Sequence, residues 1–131
     1  MSSSTAPKKI TIVGSGNWGS TIAIHIGEKV RELKNQYDEK IMMWCKEETL
    51  EDGSKLTEVI NKQHENTKYL PNEKIPDNVI ALPDLSESVK DADILIFVIP
   101  HQFVKKTCDE LKNKIKPTAF ALTLIKVRNR K

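Results

Sequence analysis

The stretch KKITIVGSGNWGSTIAIHI, residues 8–26, sets a β-branched apolar run directly before three glycines and an apolar-periodic run directly after them. Ile10, Thr11, Ile12 and Val13 form the unbroken run that a strand buried on both faces requires. Beyond the glycines, Trp18, Ile22, Ile26, Val30 and Leu33 recur at three- and four-residue steps, which predicts a single apolar stripe on a helix over residues 17–34. Gly27 inside that helix costs about 1 kcal/mol against alanine unless a close packing contact requires it. The three glycines of the turn then have distinct expected roles. Gly14 stands where the strand ends and turns, Gly16 leaves the main chain open to a phosphate, and Gly19 lets the helix lie close on the sheet. The unpaired N–H groups of the first helical turn, with the helix dipole, attract a diphosphate. A nucleotide loop of the G-x-x-x-x-G-K-[ST] type is excluded, because no lysine follows Gly19.

The rest of the chain repeats the alternation. Ile41, Met42, Met43, Trp44 and Cys45 read as a second buried strand, after a polar connection over residues 35–40. Leu56, Val59 and Ile60 give a short helix, residues 79–82 a third strand, and residues 85–91 helical spacing. ILIFVI, residues 94–99, is the clearest strand, stopped by Pro100. Phe103 or Val104, Cys108, Leu111 and Ile115 form a helical stripe ended by Pro117, and residues 119–125 a last strand. Strands and helices in strict alternation predict an α/β doubly wound, Rossmann-like parallel sheet with helices on both faces.

Composition narrows the classes. The chain has 131 residues, 38% hydrophobic and 30% charged, the balance of one globular domain. No apolar run approaches the ~20 residues of a membrane span, and MSSSTAP lacks the apolar core of a secretory signal. A cytoplasmic protein is the expectation. The net charge of +3 belongs to KVRNRK, residues 126–131; without its four basic residues the count is 17 Lys+Arg against 18 Asp+Glu. A basic tail without interleaved aromatics does not predict nucleic-acid binding. Cys45 and Cys108 fit no disulfide or metal pattern and are expected to be small buried hydrophobes.

An acid at the end of the second strand commonly holds the adenosine ribose. Asp38 and Glu39 precede that strand, whereas Glu47 and Glu48 follow it; Glu47 is the candidate, with a solvated loop acid as the alternative. Lys46 beside it suits a 2′-phosphate, so NADP stays open. Pro100, His101 and Gln102 follow the fourth strand, where its carboxyl end borders the expected crevice. His101 either meets a cofactor there or caps the sheet, and Phe103 either walls the nicotinamide or fills core. Lys126, on the same edge, either holds an anionic substrate or is a surface lysine.

GSGNWG at residues 14–19, NKQHENTKYLP at 61–71, DADILIFVIPHQF at 91–103 and LTLIK at 122–126 resemble the NAD-dependent glycerol-3-phosphate dehydrogenases of the eukaryotic cytosolic type. The resemblance covers roughly residues 8–126. It implies that Gly14, Ser15, Gly16, Asn17, Trp18 and Gly19 bind the NAD diphosphate, that Phe103 lines the cofactor site, and that Lys126 binds substrate. It further implies hydride transfer between NADH and dihydroxyacetone phosphate, giving sn-glycerol 3-phosphate, in a homodimer. The expected organisation is a flexible leader over residues 1–8, a dinucleotide-binding domain over 9–126 and a basic tail over 127–131. Two departures stand out. Lys46 replaces the aromatic residue usual before the two glutamates. After LIK the family continues into a helical domain that carries the catalytic lysine, whereas here VRNRK follows, similar to a GRNRK segment far downstream in the family. The expectation is therefore a cofactor-binding chain without catalytic residues of its own and inactive in isolation. The alternative is a non-catalytic NAD(H)-binding or subunit-interaction module.

Overall fold

The structure, a computed structural model, describes residues 7–124. Five strands alternate with four helices: β1 Lys8–Val13, α1 Asn17–Glu32, β2 Tyr37–Trp44, α2 Leu56–Gln63, β3 Val79–Leu82, α3 Leu85–Val89, β4 Ile94–Phe97, α4 His101–Leu111 and β5 Phe120–Thr123. The strands form one parallel sheet in the order β3-β2-β1-β4-β5. The Rossmann-like expectation is therefore the observed fold. The order reverses between β1 and β4, and ligand crevices open at such a switch point, beyond the carboxyl ends of the strands.

Strand alternation divides the core into two layers. Ile10, Ile12, Ile41, Met43 and Ile96 pack on one face with Ala23 and Val30 of α1 and Leu56 and Ile60 of α2. Val13, Leu95 and Phe97 pack on the other with Val89 of α3 and Leu111 of α4. The register Ile12↔Ile96 and Val13↔Phe97 keeps each residue beside a partner of its own layer. On the second face, the Thr11 hydroxyl donates to the Ser88 carbonyl at 2.6 Å, which ties α3 to the sheet.

Several local expectations are corrected. β2 begins at Tyr37, not Ile41, because Tyr37 pairs with Lys8 across an irregular step in the register. Of the stripe led by Trp18, α1 fully buries only Val30, with Ile22 and Ile26 partly buried against the core. Its buried residues are Gly19, Ser20, Ala23, Gly27 and Val30, while Trp18 is 59% exposed. A helix resting closely on a sheet presents its small residues to it, and the large apolar ones flank the contact. Gly27 is part of this: a Cβ there would lie 3.0 Å from Val79 Cγ2 and 3.3 Å from Pro76 Cγ. Cys45 is buried as expected, but Cys108 is exposed, because α4 buries only Thr107 and Leu111.

Candidate functional site

The end of β1 is fixed by two contacts that no side chain could share. Gly14 has φ +133°, and a Cβ on it would lie 2.3 Å from the Val98 carbonyl oxygen, just after β4. A Cβ on Gly19 would lie 2.4 Å from the Gly14 carbonyl oxygen, so the first turn of α1 sits directly on the end of the strand. Gly16 differs from both. Its φ is −72°, open to any residue, and a Cβ there would meet nothing within 4 Å. Space is thus left in front of Gly16 that the protein itself does not fill.

That space is a cleft of about 670 Å³ at the switch point. Gly16, Asn17, Trp18 and Gly19 line it on one side, and Val98, Ile99, Pro100, His101 and Gln102 on the other. Ile22 and Leu124 close its apolar floor. Two helices, α1 and α4, begin at its rim, and neither has a side-chain cap or an acid in its first turn. Their exposed N–H groups and positive dipole ends suit a negatively charged group.

The expected residues separate into three sets. Gly16, Asn17, Trp18, Gly19 and His101 share the cleft, with Gly14 and Ser15 immediately behind its wall. Phe103 lies in the first turn of α4, 49% exposed, close in sequence to the lining but not part of it. Lys126 lies outside the described residues.

The acids after β2 are engaged within the protein. Glu47 accepts from the Thr57 N–H at 3.1 Å and from the Thr57 hydroxyl at 2.7 Å, and so caps α2, whose Lys55 N-cap offers no side-chain acceptor. Burial raises the Glu47 carboxyl, but the Thr57 hydrogen bonds outweigh it and leave the group below its ordinary range. Glu48 is likewise held below its ordinary range by Lys68, whose ammonium contacts it, and by the Tyr69 hydroxyl, which donates at 2.6 Å. Lys46 is exposed beside them. Burial pushes the Cys45 thiol up to about 11, the two glutamates adding to the shift and a hydrogen bond with Ser15 opposing it. The thiol is therefore neutral near pH 7 and acts as a packing group behind the loop.

One residue behind the cleft carries no signal in its local spacing. Asn66 is fully buried against the glycine loop, 46 residues beyond Ser20 in the chain, within an otherwise irregular stretch.

Residues 9–128 match a family described as the N-terminus of NAD-dependent glycerol-3-phosphate dehydrogenase. A glycerol-3-phosphate dehydrogenase 1-like protein of Mus musculus is 54% identical over 121 residues, covering 92% of this chain and 34% of that one. The cytoplasmic NAD(+) glycerol-3-phosphate dehydrogenase of Homo sapiens is also 54% identical over 121 residues, with the same coverage. The solved glycerol-3-phosphate dehydrogenase of Saccharomyces cerevisiae superposes with a TM-score of 0.88 at 45% identity, over 92% of this chain and 34% of that one. The chain thus spans about a third of the length of these relatives.

Proposed function

Because this chain belongs to the NAD-dependent glycerol-3-phosphate dehydrogenase family, matching its N-terminal domain, we propose that it is the NAD(H)-binding unit of such an enzyme. The observation that carries this reading is the contrast at the glycine loop. Gly14 and Gly19 are required by the fold, whereas Gly16 is required only by something that enters the cleft. The residues fit the cofactor. Gly14, Ser15, Gly16, Asn17, Trp18 and Gly19 hold the diphosphate through main-chain N–H groups and the α1 dipole. Phe103 and His101 lie on the nicotinamide side, and Lys126 holds the phosphate of the substrate.

When bound, NAD(H) supplies the hydride exchanged with dihydroxyacetone phosphate or sn-glycerol 3-phosphate. The chain's own part is to fix the dinucleotide and to wall it from water. We assign no catalytic residue to the chain: apart from His101 and Lys126 it offers no acid for the developing alkoxide. The proposed domain is that expected over residues 9–126, extended by Lys8, which already belongs to β1. Glu47 and Glu48 keep negative charge beside the adenosine end and favour NAD(H) over NADP(H), with the exposed Lys46 acting in the opposite sense.

A homodimer in the cytoplasm is the proposed setting, the human relative being named cytoplasmic. Membrane and nucleic-acid partners are not part of the proposal. No helix among the described residues is long and apolar enough to cross a membrane. A second reading, a non-catalytic NAD(H)-binding or subunit-interaction module, is favoured by one observation. Phe120, Leu122 and Leu124 stand exposed along the sheet edge, as a surface for another polypeptide would.

Calorimetric titration with NADH and NADPH tests the reading, with Gly16→Val beside the unaltered chain. The variant is expected to keep the fold, since a Cβ at residue 16 meets nothing within 4 Å, and to lose NADH binding. Equal NADH affinity in the two would refute the site. Followed by NADH absorbance, the 131-residue chain is expected to turn over dihydroxyacetone phosphate negligibly. A rate near the typical ~10 s⁻¹ would refute the cofactor-half reading and place the catalytic groups within this chain.

A further inference from the structure

We propose that Asn66 is a positioning residue that locks the Ser15–Gly16 peptide with its N–H facing the cleft. The proposal rests on the reading of the glycine loop as a diphosphate site. Asn66 is 0% exposed, and every hydrogen bond of its side chain is made inside the protein. Its Nδ2 donates to the Ser15 carbonyl at 2.8 Å and to the Ser20 hydroxyl at 2.9 Å. Its Oδ1 accepts from the Tyr69 N–H at 3.0 Å. That last bond fixes which way the amide points, because an N–H can be met only by the oxygen. The Ser20 hydroxyl in turn donates to the same Ser15 carbonyl at 3.2 Å. Two buried donors therefore converge on one carbonyl oxygen.

The consequence follows from peptide geometry. A trans peptide is planar, and its C=O and N–H point in opposite directions. No cis peptide occurs among the described residues. Drawing the Ser15 oxygen inward toward Asn66 and Ser20 turns the Gly16 N–H outward, on the side where Gly16 lines the cleft. A lock is needed because glycine imposes no Cβ barrier on this torsion. Rotated by half a turn, the peptide would present a carbonyl oxygen to the diphosphate, repelling the charge that the N–H attracts.

The same short turn reaches the adenosine side. Lys68 and Tyr69, two and three residues past Asn66, hold Glu48 after β2. Residues 66–69 thus brace the diphosphate loop and the end of β2 together.

The test uses the 131-residue chain with Asn66→Asp and Ser20→Ala. Aspartate keeps the shape and the bond from Tyr69 but places an acceptor against the Ser15 carbonyl; alanine removes only the second donor. The readouts are the Ser15 carbonyl ¹³C and Gly16 amide resonances without ligand, thermal unfolding, and NADH titration. The expected result for Asn66→Asp is displaced Ser15 and Gly16 resonances and NADH binding weakened about tenfold or more, the effect of losing a charge-assisted hydrogen bond. Ser20→Ala moves the same resonances less and weakens binding a few-fold, and it decides the matter if the aspartate variant does not fold. A lower unfolding temperature with Gly16 resonances and NADH affinity unchanged assigns Asn66 a merely structural role and overturns the proposal. Failure of the underlying reading is recognisable separately: the Gly16 amide of the unaltered chain would then not respond to NADH. That result overturns the proposal too, since the lock would have no diphosphate to serve.

Discussion

The two sides of the switch point are built from the same kind of sequence and end in different states. On the β1–β2–β3 side, Ile12, Ile41, Met43, Leu56 and Ile60 are fully buried between the sheet and α1 and α2. On the β4–β5 side, Phe120 is 60%, Leu122 41% and Leu124 40% exposed, and every residue of β5 is exposed. α1 buries five residues of its sixteen and α4 two of its eleven. The difference is one of coverage. The two faces of the first half are covered by described helices, whereas among the described residues β5 pairs only with β4 and has no layer over Phe120 and Leu122. An apolar strand becomes core only when a second layer lies over it.

The largest effect is expected at the seam between the two halves. Gly14→Ala forces a side chain at φ +133° against the Val98 carbonyl, the contact that joins the two halves. The expected loss is about 4 kcal/mol or more, enough to remove a cooperative transition in urea followed by circular dichroism. A normal transition would show that the seam is soft. Next comes the contrast itself. Ile41→Ala, in the covered half, is expected to cost about 3 kcal/mol, and Leu122→Ala, at the open edge, under about 1 kcal/mol. Equal costs in matched denaturant curves would mean that the edge is covered in solution, as a dimer through β5 would make it, and the same experiment at rising protein concentration would reveal that.

A smaller effect concerns the tie that holds the open half to the closed one. Asp93 accepts from the Lys116 ammonium at 2.9 Å and from the Lys9 N–H at 2.8 Å. Lys116 first and the Lys9 N–H second hold its carboxyl below the usual range. A carboxyl depressed in the folded state stabilises above its unfolded pKa, about 4, and that contribution disappears as pH falls through the lower folded value. Asp93→Asn should therefore cost about 1 kcal/mol at pH 7 and less in acid, the exposure of Lys116 limiting the amount. Unfolding curves at pH 7 and pH 3 that differ from the unaltered chain by the same amount would contradict this. The smallest effect is expected at Cys108→Ser, on the exposed face of α4, within about 0.5 kcal/mol. A larger loss would place Cys108 under cover and bring the two halves closer in kind.

Much of this was legible in the sequence because it is local. The runs before Gly14 and in the ILIF of β4 are short, rich in β-branched residues and bounded by Gly14 and Pro100, and so form strands, as residues 79–82 form β3. The glycine loop was legible for the same reason, since strand, turn and helix are contiguous. The face of α1 was not. Trp18, Ile22, Ile26 and Val30 make a convincing apolar stripe, but of these only Val30 is fully buried, and the close approach of helix to sheet selects the adjacent small residues Gly19, Ser20, Ala23 and Gly27. The capping of α2 by Glu47 was not legible, because Glu47 and the Thr57 that it accepts from meet only once the loop between them folds back. Asn66 lies within the NKQHENTKYLP stretch, but its partner was not legible, because the Ser15 carbonyl that it holds is 51 residues away.

The order of strands and helices, and the glycines that let the chain turn between them, were determined by the sequence alone, for backbone preference and apolar period act within a few residues. Which apolar residues became core, which acids remained unengaged and which amide braces the loop were decided by tertiary structure. Each of those depends on what the fold lays opposite a side chain, and residues that meet across a sheet or a turn are not neighbours in the chain.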